Sequence, residues 1–245
     1  MSDKIIRIIH LYPDLLNLYG DKGNIAALKT RLKLRGVETE VIEVTSKNGD
    51  FSIEDADIIY LGGGSDREQD IVCDHLREKA EKIKAYVEDG GVMLATCGGF
   101  QMLGNYYMTA GGRVDGLGVL DISAEFNEKR LIGNVVLESE LFTQKIVGFE
   151  NHPSRTDIGK YTPLGRVVVG FGNTDDCSCE GLVYKNVVAT NLHGPLLPKN
   201  PMLCDYLLNA ALKGKYSDFT ELEILDDTLE NAANEQIVKR FVVNK

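Results

Sequence analysis

The sequence contains no long apolar run and no excess of positive charge. No run of about eighteen apolar residues occurs in the chain, which argues against a membrane-spanning helix. Lysine and arginine number 27 against 37 aspartates and glutamates, giving a formal net charge of −10. Such a chain repels phosphate backbones and anionic lipid headgroups, so we expect neither nucleic-acid binding nor membrane-surface binding.

Cysteine is sparse and occurs in an odd number. The five cysteines are Cys73, Cys97, Cys177, Cys179 and Cys204. The number of cysteines is odd, and the N-terminal segment does not resemble a secretory signal. Both observations indicate a reducing compartment, so we expect the protein in the cytoplasm. Cys177 and Cys179 could form half of a metal site, but no second close pair supplies the other ligands that structural zinc prefers. We therefore predict two loop thiols and no bound metal.

The first half of the chain alternates strand-like and helix-like segments. Strands are predicted at 5–10, 37–44, 57–61 and 92–96, with helical segments at 23–35, 68–89 and from 100 onward. This rhythm is typical of a mostly parallel sheet covered by helices on both faces.

The second half contains short β-type runs, and helical segments follow them. The runs are predicted at 117–122, 132–137, 146–149, 167–171, 181–184 and 187–191, and the helices at 202–213 and 229–241. The acidic stretch 218–230 is predicted to be a solvated surface. The length suits one well-buried unit, so we predict a single α/β domain over residues 1–245.

Cys97 lies between a buried strand and the start of a helix. Small residues stand two positions before and after it, at Ala95 and Gly99, as in a nucleophile elbow. A helix N-terminus would lower the pKa of the thiol, and the Gly98 amide would point toward a developing oxyanion. The alternative is a buried structural cysteine before a glycine-rich turn.

A nucleophilic thiol needs a base, and His193 is the best candidate. It follows the predicted strand 187–191, and strand ends define the ligand crevice in open parallel sheets. His10, His75 and His152 compete with it, and a histidine at a strand end is often structural.

Gly62-Gly63-Gly64 ends another predicted strand and offers backbone amides to a ligand. A phosphate loop is the alternative, but the glycine spacing of the nucleotide-binding motifs is missing. Gln101 lies four residues after Cys97 and shares its helix face.

Taken together, these segments resemble the class I glutamine amidotransferases over essentially the whole chain. In that family a strand-end Gly-Gly supplies an oxyanion-hole amide, a Cys-Gly elbow supplies the nucleophile, and a late strand-end histidine is the base. The closer resemblance is to the cobyric-acid-synthase-like branch, and within it to the glutaminase subunits of lipid II isoglutaminyl synthases. The matching segments are 11–25, 62–69, 148–152 and 192–195.

The resemblance implies a flavodoxin-like fold and a role for each matched residue. Cys97 would attack the side-chain amide of L-glutamine, and His193 would take the thiol proton. The amides of Gly64 and Gly98 would hold the oxyanion. Arg130 would contact the substrate, since an arginine fork suits an α-carboxylate, although it could be a surface arginine. Gln101 would line the same pocket.

One departure from the wider family concerns the group that orients the base. Members with a catalytic triad carry His-x-Glu, and here Pro195 occupies the place of the glutamate. The cobyric-acid-type branch shares this absence. The site is therefore either a Cys-His dyad or borrows an orienting group from elsewhere, with Glu150 as a candidate because it is a carboxylate in a matched segment.

The resemblance also implies a partner. A Mur-ligase-like subunit, MurT, would use ATP and Mg²⁺ to activate the D-glutamate of the lipid II stem peptide, and ammonia made here would give D-isoglutamine. This chain would need no cofactor of its own. The alternatives are a cobyrinate-type acceptor, a non-catalytic glutamine-sensing subunit, or another cysteine hydrolase such as a peptidase.

Overall fold

A computed structural model describes residues 4–175 and 179–243 of the chain. Met1, Ser2 and Asp3, on which the signal-peptide argument rests, lie outside the described residues. Cys177 also lies outside them, so its assignment to a loop is left as a prediction. Cys179 lies in a short strand, Cys179–Glu180, and the prediction of a loop thiol is wrong for this residue, because its backbone pairs with Arg166. Within the described ranges, no three His, Cys, Asp or Glu side chains are grouped as metal ligands.

The strands and helices follow the chain in this order. The strands are β1 (Ile5–Leu11), β2 (Glu38–Val44), β3 (Ile58–Leu61), β4 (Val92–Thr96), β5 (Tyr106–Thr109), β6 (Gly112–Asp115), β7 (Ser123–Glu138), β8 (Ile146–Asp157), β9 (Gly165–Val169), β10 (Cys179–Glu180), β11 (Leu182–Tyr184) and β12 (Val187–Thr190). The α-helices are α1 (Lys22–Leu34), α2 (Asp66–Leu76), α3 (Ala80–Glu88), α4 (Gly98–Met102), α5 (Pro201–Lys215) and α6 (Thr228–Val238). No helix in the described part of the chain is long and apolar enough to cross a bilayer.

The first sheet is mostly parallel. Strands β2, β1, β3, β4 and β12 lie side by side in that order and run parallel, and β11 joins the edge antiparallel to β12. Strands β3, β4 and β12 are buried along their whole length, as their continuous apolar sequences predict for central strands. The predicted flavodoxin-like arrangement is confirmed.

Helices cover both faces of this sheet. On one face, apolar residues of α2, α3 and α4 pack against alternate side chains of β1 and β3, such as Ile9 and Ile59. On the other face, α1 and α5 pack against the intervening side chains, such as Ile8 and Ile58. This alternation follows from the two-residue period of a strand.

The second sheet lies between β4 and β12 in the sequence and is mostly antiparallel. Its order is β10-β9-β7-β5-β6, and β8 pairs with β7. A backbone bridge between Phe149 of β8 and His193 ties this sheet to the end of the first one. The second sheet therefore stands next to the carboxyl ends of the parallel strands.

Four predicted segments differ from the structure. No strand forms at 117–122, where apolar side chains fill the core from an irregular segment instead. The predicted helix 68–89 is split into α2 and α3 by a tight 3-10 turn at Arg77–Lys79. The sequence did not predict this break, because no glycine or proline occurs there. The runs 132–137 and 146–149 belong to the much longer strands β7 and β8. The single domain over 1–245 stays a prediction.

Candidate active site

Cys97 occupies a sharp turn between β4 and α4. Its φ of 52° and ψ of −113° lie in a region that residues other than glycine rarely adopt. A Cβ on Gly99 would lie 2.3 Å from the carbonyl oxygen of Leu61, which explains the small residue after the cysteine. The predicted strand-turn-helix elbow is confirmed for this segment.

The pKa of Cys97 does not follow the expectation from a helix N-terminus. Burial raises it to about 12, and the negative charge of Asp21 raises it further. Hydrogen bonds from the Gly98 amide and the Tyr19 hydroxyl, together with the charge of Arg130, act in the opposite direction. The prediction of a lowered pKa is wrong, because α4 is only five residues long and burial outweighs it.

His193 is placed by the pairing of β12 with β4. Thr190 faces Thr96 in this parallel pair, and the Cys97 amide donates to the Thr190 carbonyl at 2.8 Å. The chain then continues to His193, whose backbone pairs with Phe149. Both predicted catalytic residues therefore stand at the carboxyl ends of adjacent strands, as expected for an open parallel sheet.

The His193 ring is buried between aromatic side chains. It stacks on Tyr19 with a centroid distance of 4.0 Å and an interplanar angle of 22°, and Phe149 meets it edge-on at 5.8 Å. Its Nε2 has no hydrogen-bond partner among the described residues. Burial lowers the pKa of His193 to about 4, with His152 and Lys199 adding to the shift. The ring is therefore neutral near pH 7 and able to accept a proton.

A cavity of about 450 Å³ opens beside Cys97. Four predicted residues line it, namely Gly64, Cys97, Gln101 and Arg130. Gly98 follows Cys97 directly, and His193 is buried against Tyr19, which itself lines the cavity. His152 also lines the cavity. His10 and His75 lie on other parts of the fold, His10 buried in β1 and His75 exposed on α2.

The glycine segment after β3 approaches the nucleophile closely. A Cβ on Gly63 would lie 2.9 Å from the Cβ of Cys97, so only glycine fits there. Gln69 bridges the two peptides predicted to hold the oxyanion. Its Nε2 donates to the Gly64 carbonyl at 2.9 Å, and a Cβ on Gly98 would lie 2.4 Å from its Cδ.

Arg130 stands at the exposed rim of the cavity on β7. Its Nε donates to the Asn151 side chain at 2.9 Å and its Nη2 to the Asn151 carbonyl at 2.8 Å. The register of β7 and β8 shifts between Phe126 and Leu131, where an irregularity of this kind re-aims side chains. The guanidinium is thus held in one orientation beside a cavity that also contains the buried Gln101.

A family model described as the CobB/CobQ-like glutamine amidotransferase domain matches residues 7–201. The chain belongs to this family. It is therefore a glutamine amidotransferase, an enzyme of the class that takes nitrogen from the side-chain amide of glutamine.

Two relatives of this amidotransferase match nearly its whole length. Both are named lipid II isoglutaminyl synthase (glutamine-hydrolyzing) subunit GatD. The protein from Staphylococcus aureus (strain N315) is 43% identical over 238 residues, which cover 96% of each chain. The protein from Streptococcus pneumoniae (strain ATCC BAA-255 / R6) is 41% identical over 234 residues, covering 94% of this chain and 90% of the relative.

A solved structure is similar in fold alone. The structure of PurLQS from Thermotoga maritima superposes with a TM-score of 0.53 and 19% sequence identity, covering 85% of this chain and 98% of that chain. This likeness agrees with the flavodoxin-like sheet order of the amidotransferase.

Glu150 does not orient His193 in this amidotransferase. Its carboxylate accepts hydrogen bonds from the Phe171 and Gly172 amides at 2.7 and 3.0 Å, and its nearest histidine is His152, at 3.4 Å from Nε2. No hydrogen bond joins Glu150 to His193 in the described part of the chain. The hypothesis that Glu150 orients His193 is therefore wrong, because the pleat of β8 directs the Glu150 carboxylate toward His152 instead.

Three residues near the nucleophile were not singled out from the sequence. Tyr19 stacks on His193 and lowers the pKa of Cys97. Gln69 packs on Gly98, and Asp21 lies buried below the elbow, accepting hydrogen bonds from Tyr60 and Thr96. The only signal was their presence in the matched segments 11–25 and 62–69. Their residue types alone are compatible with any polar loop.

Proposed function

We propose that this amidotransferase is the glutamine-hydrolysing subunit of a lipid II isoglutaminyl synthase. The observation that carries the proposal is its similarity to two proteins of that name, at 43% and 41% identity over nearly the full chain. The geometry around Cys97 supports it, because the buried thiol and a fixed arginine line one cavity, and the neutral imidazole of His193 stacks on Tyr19 in the wall of that cavity.

In this proposal the cavity binds L-glutamine in one orientation. The guanidinium of Arg130 binds the α-carboxylate, since an arginine fork matches a carboxylate. Gln101 contacts the same substrate from the buried side. The side-chain carboxamide then reaches Cys97, and its carbonyl oxygen lies between the amides of Gly64 and Gly98.

The chemistry proceeds through a thioester. The thiol proton of Cys97 passes to Nε2 of His193 while Sγ bonds to the carboxamide carbon, and the oxygen becomes an oxyanion held by the two amides. The carbon–nitrogen bond breaks, and the proton on His193 leaves with ammonia. A water molecule, deprotonated by His193, attacks the thioester, and the carbon–sulfur bond breaks to give glutamate and the restored thiol.

The pKa shifts explain why the chain alone would be slow. Cys97 has a pKa raised to about 12 and His193 a pKa lowered to about 4, so proton transfer between them is unfavourable in the unoccupied site. Substrate or a partner must stabilise the charged pair. A glutaminase that waits for its partner does not waste glutamine.

The proposed partner is a Mur-ligase-like subunit of the MurT type, forming a heterodimer in the cytoplasm. That subunit would bind ATP and Mg²⁺ and activate the D-glutamate α-carboxylate of lipid II. Ammonia released at Cys97 would then convert it to D-isoglutamine. The present chain would contribute no cofactor.

The test follows nitrogen from glutamine to lipid II. Glutamine labelled with nitrogen-15 in its side-chain amide is supplied to this chain, the Mur-ligase-like partner, or both, with ATP and lipid II. The proposal expects labelled, amidated lipid II only with both subunits present. Amidation by this chain alone, or label that never leaves glutamine in the assembled complex, would contradict it. The second result would favour a glutamine-sensing subunit.

A further inference from the structure

Gln69 is a buried polar residue on a face of α2 that is otherwise apolar. The buried positions of this helix follow a helical spacing, and three of them hold Val72, Cys73 and Leu76, each at most 1% exposed. Gln69 begins this face and is only 5% exposed. Burying a side-chain amide is unfavourable unless hydrogen bonds satisfy it, so an apolar residue would fit this face better.

The side-chain amide of Gln69 makes one hydrogen bond and leaves one acceptor unused. Its Nε2 donates to the Gly64 carbonyl at 2.9 Å, and because a carbonyl only accepts, this bond identifies the nitrogen end of the amide. Its Oε1 is buried and has no hydrogen-bond partner among the described residues. A buried acceptor without a partner lowers stability, and such exceptions are concentrated at functional sites.

The bond from Gln69 completes the fixation of the glycine segment that follows β3. The Leu18 amide donates to the Gly63 carbonyl at 3.3 Å. No cis peptide occurs in the described part of the chain, and a trans peptide places its N–H opposite its C=O. The Gly64 amide therefore faces away from Leu18. Gln69 holds the carbonyl of the next peptide, so both peptide planes that flank Gly64 are fixed.

The same side chain packs on the residue that supplies the second predicted oxyanion donor. A Cβ on Gly98 would lie 2.4 Å from Cδ of Gln69 and 2.5 Å from its Nε2, so the amide group of Gln69 rests on this glycine. Gly98 is the first residue of α4 and follows Cys97 directly. Gln69, Gly64 and Cys97 line the same cavity. One side chain thus contacts both residues whose amides are predicted to hold the oxyanion.

We propose that Gln69 is a positioning residue that sets the separation and direction of the two oxyanion-hole amides. Its Nε2 fixes Gly64, and the packing of its amide group fixes Gly98. The oxyanion forms only during the chemical steps, so this role affects their rate rather than the binding of glutamine. The inference rests on the proposed function, which assigns the oxyanion to these two amides.

Two substitutions separate the hydrogen bond from the packing. Gln69→Met keeps a side chain of similar length against Gly98 and removes the donor to Gly64. It should lower kcat for glutamine about tenfold and leave KM nearly unchanged, because a displaced donor weakens only the transition state. Gln69→Ala removes the packing as well, and its kcat should fall about 10²-fold, the loss usual for an oxyanion donor. Both variants are measured as the full chain in complex with the ligase partner.

Gln144→Met is the matched control. Gln144 is a half-buried glutamine whose Nε2 donates to the Asn231 side chain at 3.0 Å, and it does not line the cavity. Its substitution should leave kcat and KM at their wild-type values. A Gln69→Met complex with wild-type kcat would overturn the proposal. So would a rise in KM with kcat unchanged, which would make Gln69 a substrate-binding residue instead.

Nitrogen-15 relaxation dispersion of the backbone amides tests the positioning without glutamine turnover. In the full chain, the Gly64 and Gly98 amides should show no microsecond-to-millisecond exchange, whereas in Gln69→Met both should show it. Gln144→Met should match the wild type. Amides as ordered in Gln69→Met as in the wild type would overturn the inference, and so would exchange spread over all of α2 and β4, which would indicate a general loss of stability.

The two measurements distinguish this inference from the proposed function. A complex that hydrolyses no glutamine would contradict the proposed function, while the dispersion measurement would still decide whether Gln69 orders the two glycines. An active complex with unchanged Gln69 variants would contradict the inference alone. Should Gln69→Ala not fold, Gln69→Met still carries both tests.

Discussion

Burial moves the pKa values of the two predicted catalytic residues in opposite directions. It raises the pKa of Cys97 to about 12 and lowers that of His193 to about 4. Both effects favour the neutral form of each group, because a low-dielectric site penalises charge. The resting site therefore holds a thiol and a neutral imidazole. Formation of the reactive thiolate depends on what enters or docks beside it.

The base can be tested by substitution. His193→Ala should lower glutaminase activity by about 10²-fold or more, as is usual for a lost general base. His75→Ala is the matched control, because His75 is exposed on α2 and should be nearly silent. A larger loss with His75→Ala would show that the wrong histidine was chosen.

The same residue fixes the acid limit of activity. Because the pKa of His193 is lowered to about 4, its ring stays neutral and basic as pH falls from about 7 to about 5. The kcat/KM for glutamine should hold over that interval and fall only as pH approaches 4, and kcat/KM reports the free enzyme. A midpoint near the ordinary histidine value would contradict the buried environment described for His193.

At the scale of elements, the second sheet supplies one side of the cavity, the side on which the proposed function places the α-carboxylate of glutamine. Arg130 lies on β7, where the pairing of β7 with β8 is irregular. Strand β8 supplies Asn151, whose side chain and carbonyl accept hydrogen bonds from the guanidinium. The parallel sheet supplies Cys97 and the strand leading to His193. The cavity thus forms where two sheets of different character meet.

Substitution of Arg130 tests whether this side of the cavity binds the substrate. Arg130→Ala should raise KM for glutamine about tenfold or more with a smaller change in kcat, because a contact to the α-carboxylate is the same in ground and transition states. Arg130→Lys should recover part of the loss, since it keeps the charge and loses the fork. Arg113→Ala on β6 is the matched control, an exposed arginine paired with Asp115. If kcat alone fell, Arg130 would serve a different purpose.

The parallel sheet was predictable from the sequence because its strands are continuous apolar runs. The run from Val92 to Thr96 is buried throughout, and such a pattern leaves few alternatives to a central strand. The elbow at Cys97 followed from its small neighbours. Strand β7 was only partly predicted, because its stretch from 125 to 130 is largely exposed and polar and its pairing comes from β8 rather than from local preference.

The contacts inside the site could not be predicted in the same way. Tyr19 and Asp21 come from the segment before α1 and Gln69 comes from α2, and no spacing in the sequence joins these residues to Cys97. The prediction of a lowered pKa for Cys97 was wrong, because the pKa depends on how deeply the thiol is buried, and the sequence near Cys97 does not show how distant segments pack around it. Family resemblance supplied the positions that chemistry alone left open, such as Arg130.

At the scale of the whole molecule, ion pairs join the C-terminal part of the chain to α1. Arg31 of α1 pairs with Asp205 and Asp227, and Arg35 pairs with Asp205. The carboxylates raise the pKa of Arg31 further above its ordinary value. Part of the acidic stretch 218–230, predicted to be a solvated surface, therefore holds the last helix in place. Removing one partner of a largely buried ion pair is usually costly.

In the proposed function, one chain makes ammonia at Cys97 and a separate ligase consumes it. The most direct measurement is ammonium rescue of the Cys97→Ser complex, assayed by lipid II amidation with ATP. Glutamine should support amidation only when Cys97 is intact, because a hydroxyl is far less ionised than a thiol. Added ammonium should restore amidation in the Cys97→Ser complex, because the ligase needs only the nitrogen. Glutamine-driven amidation that survives Cys97→Ser, or a stable complex that ammonium does not rescue, would contradict the account.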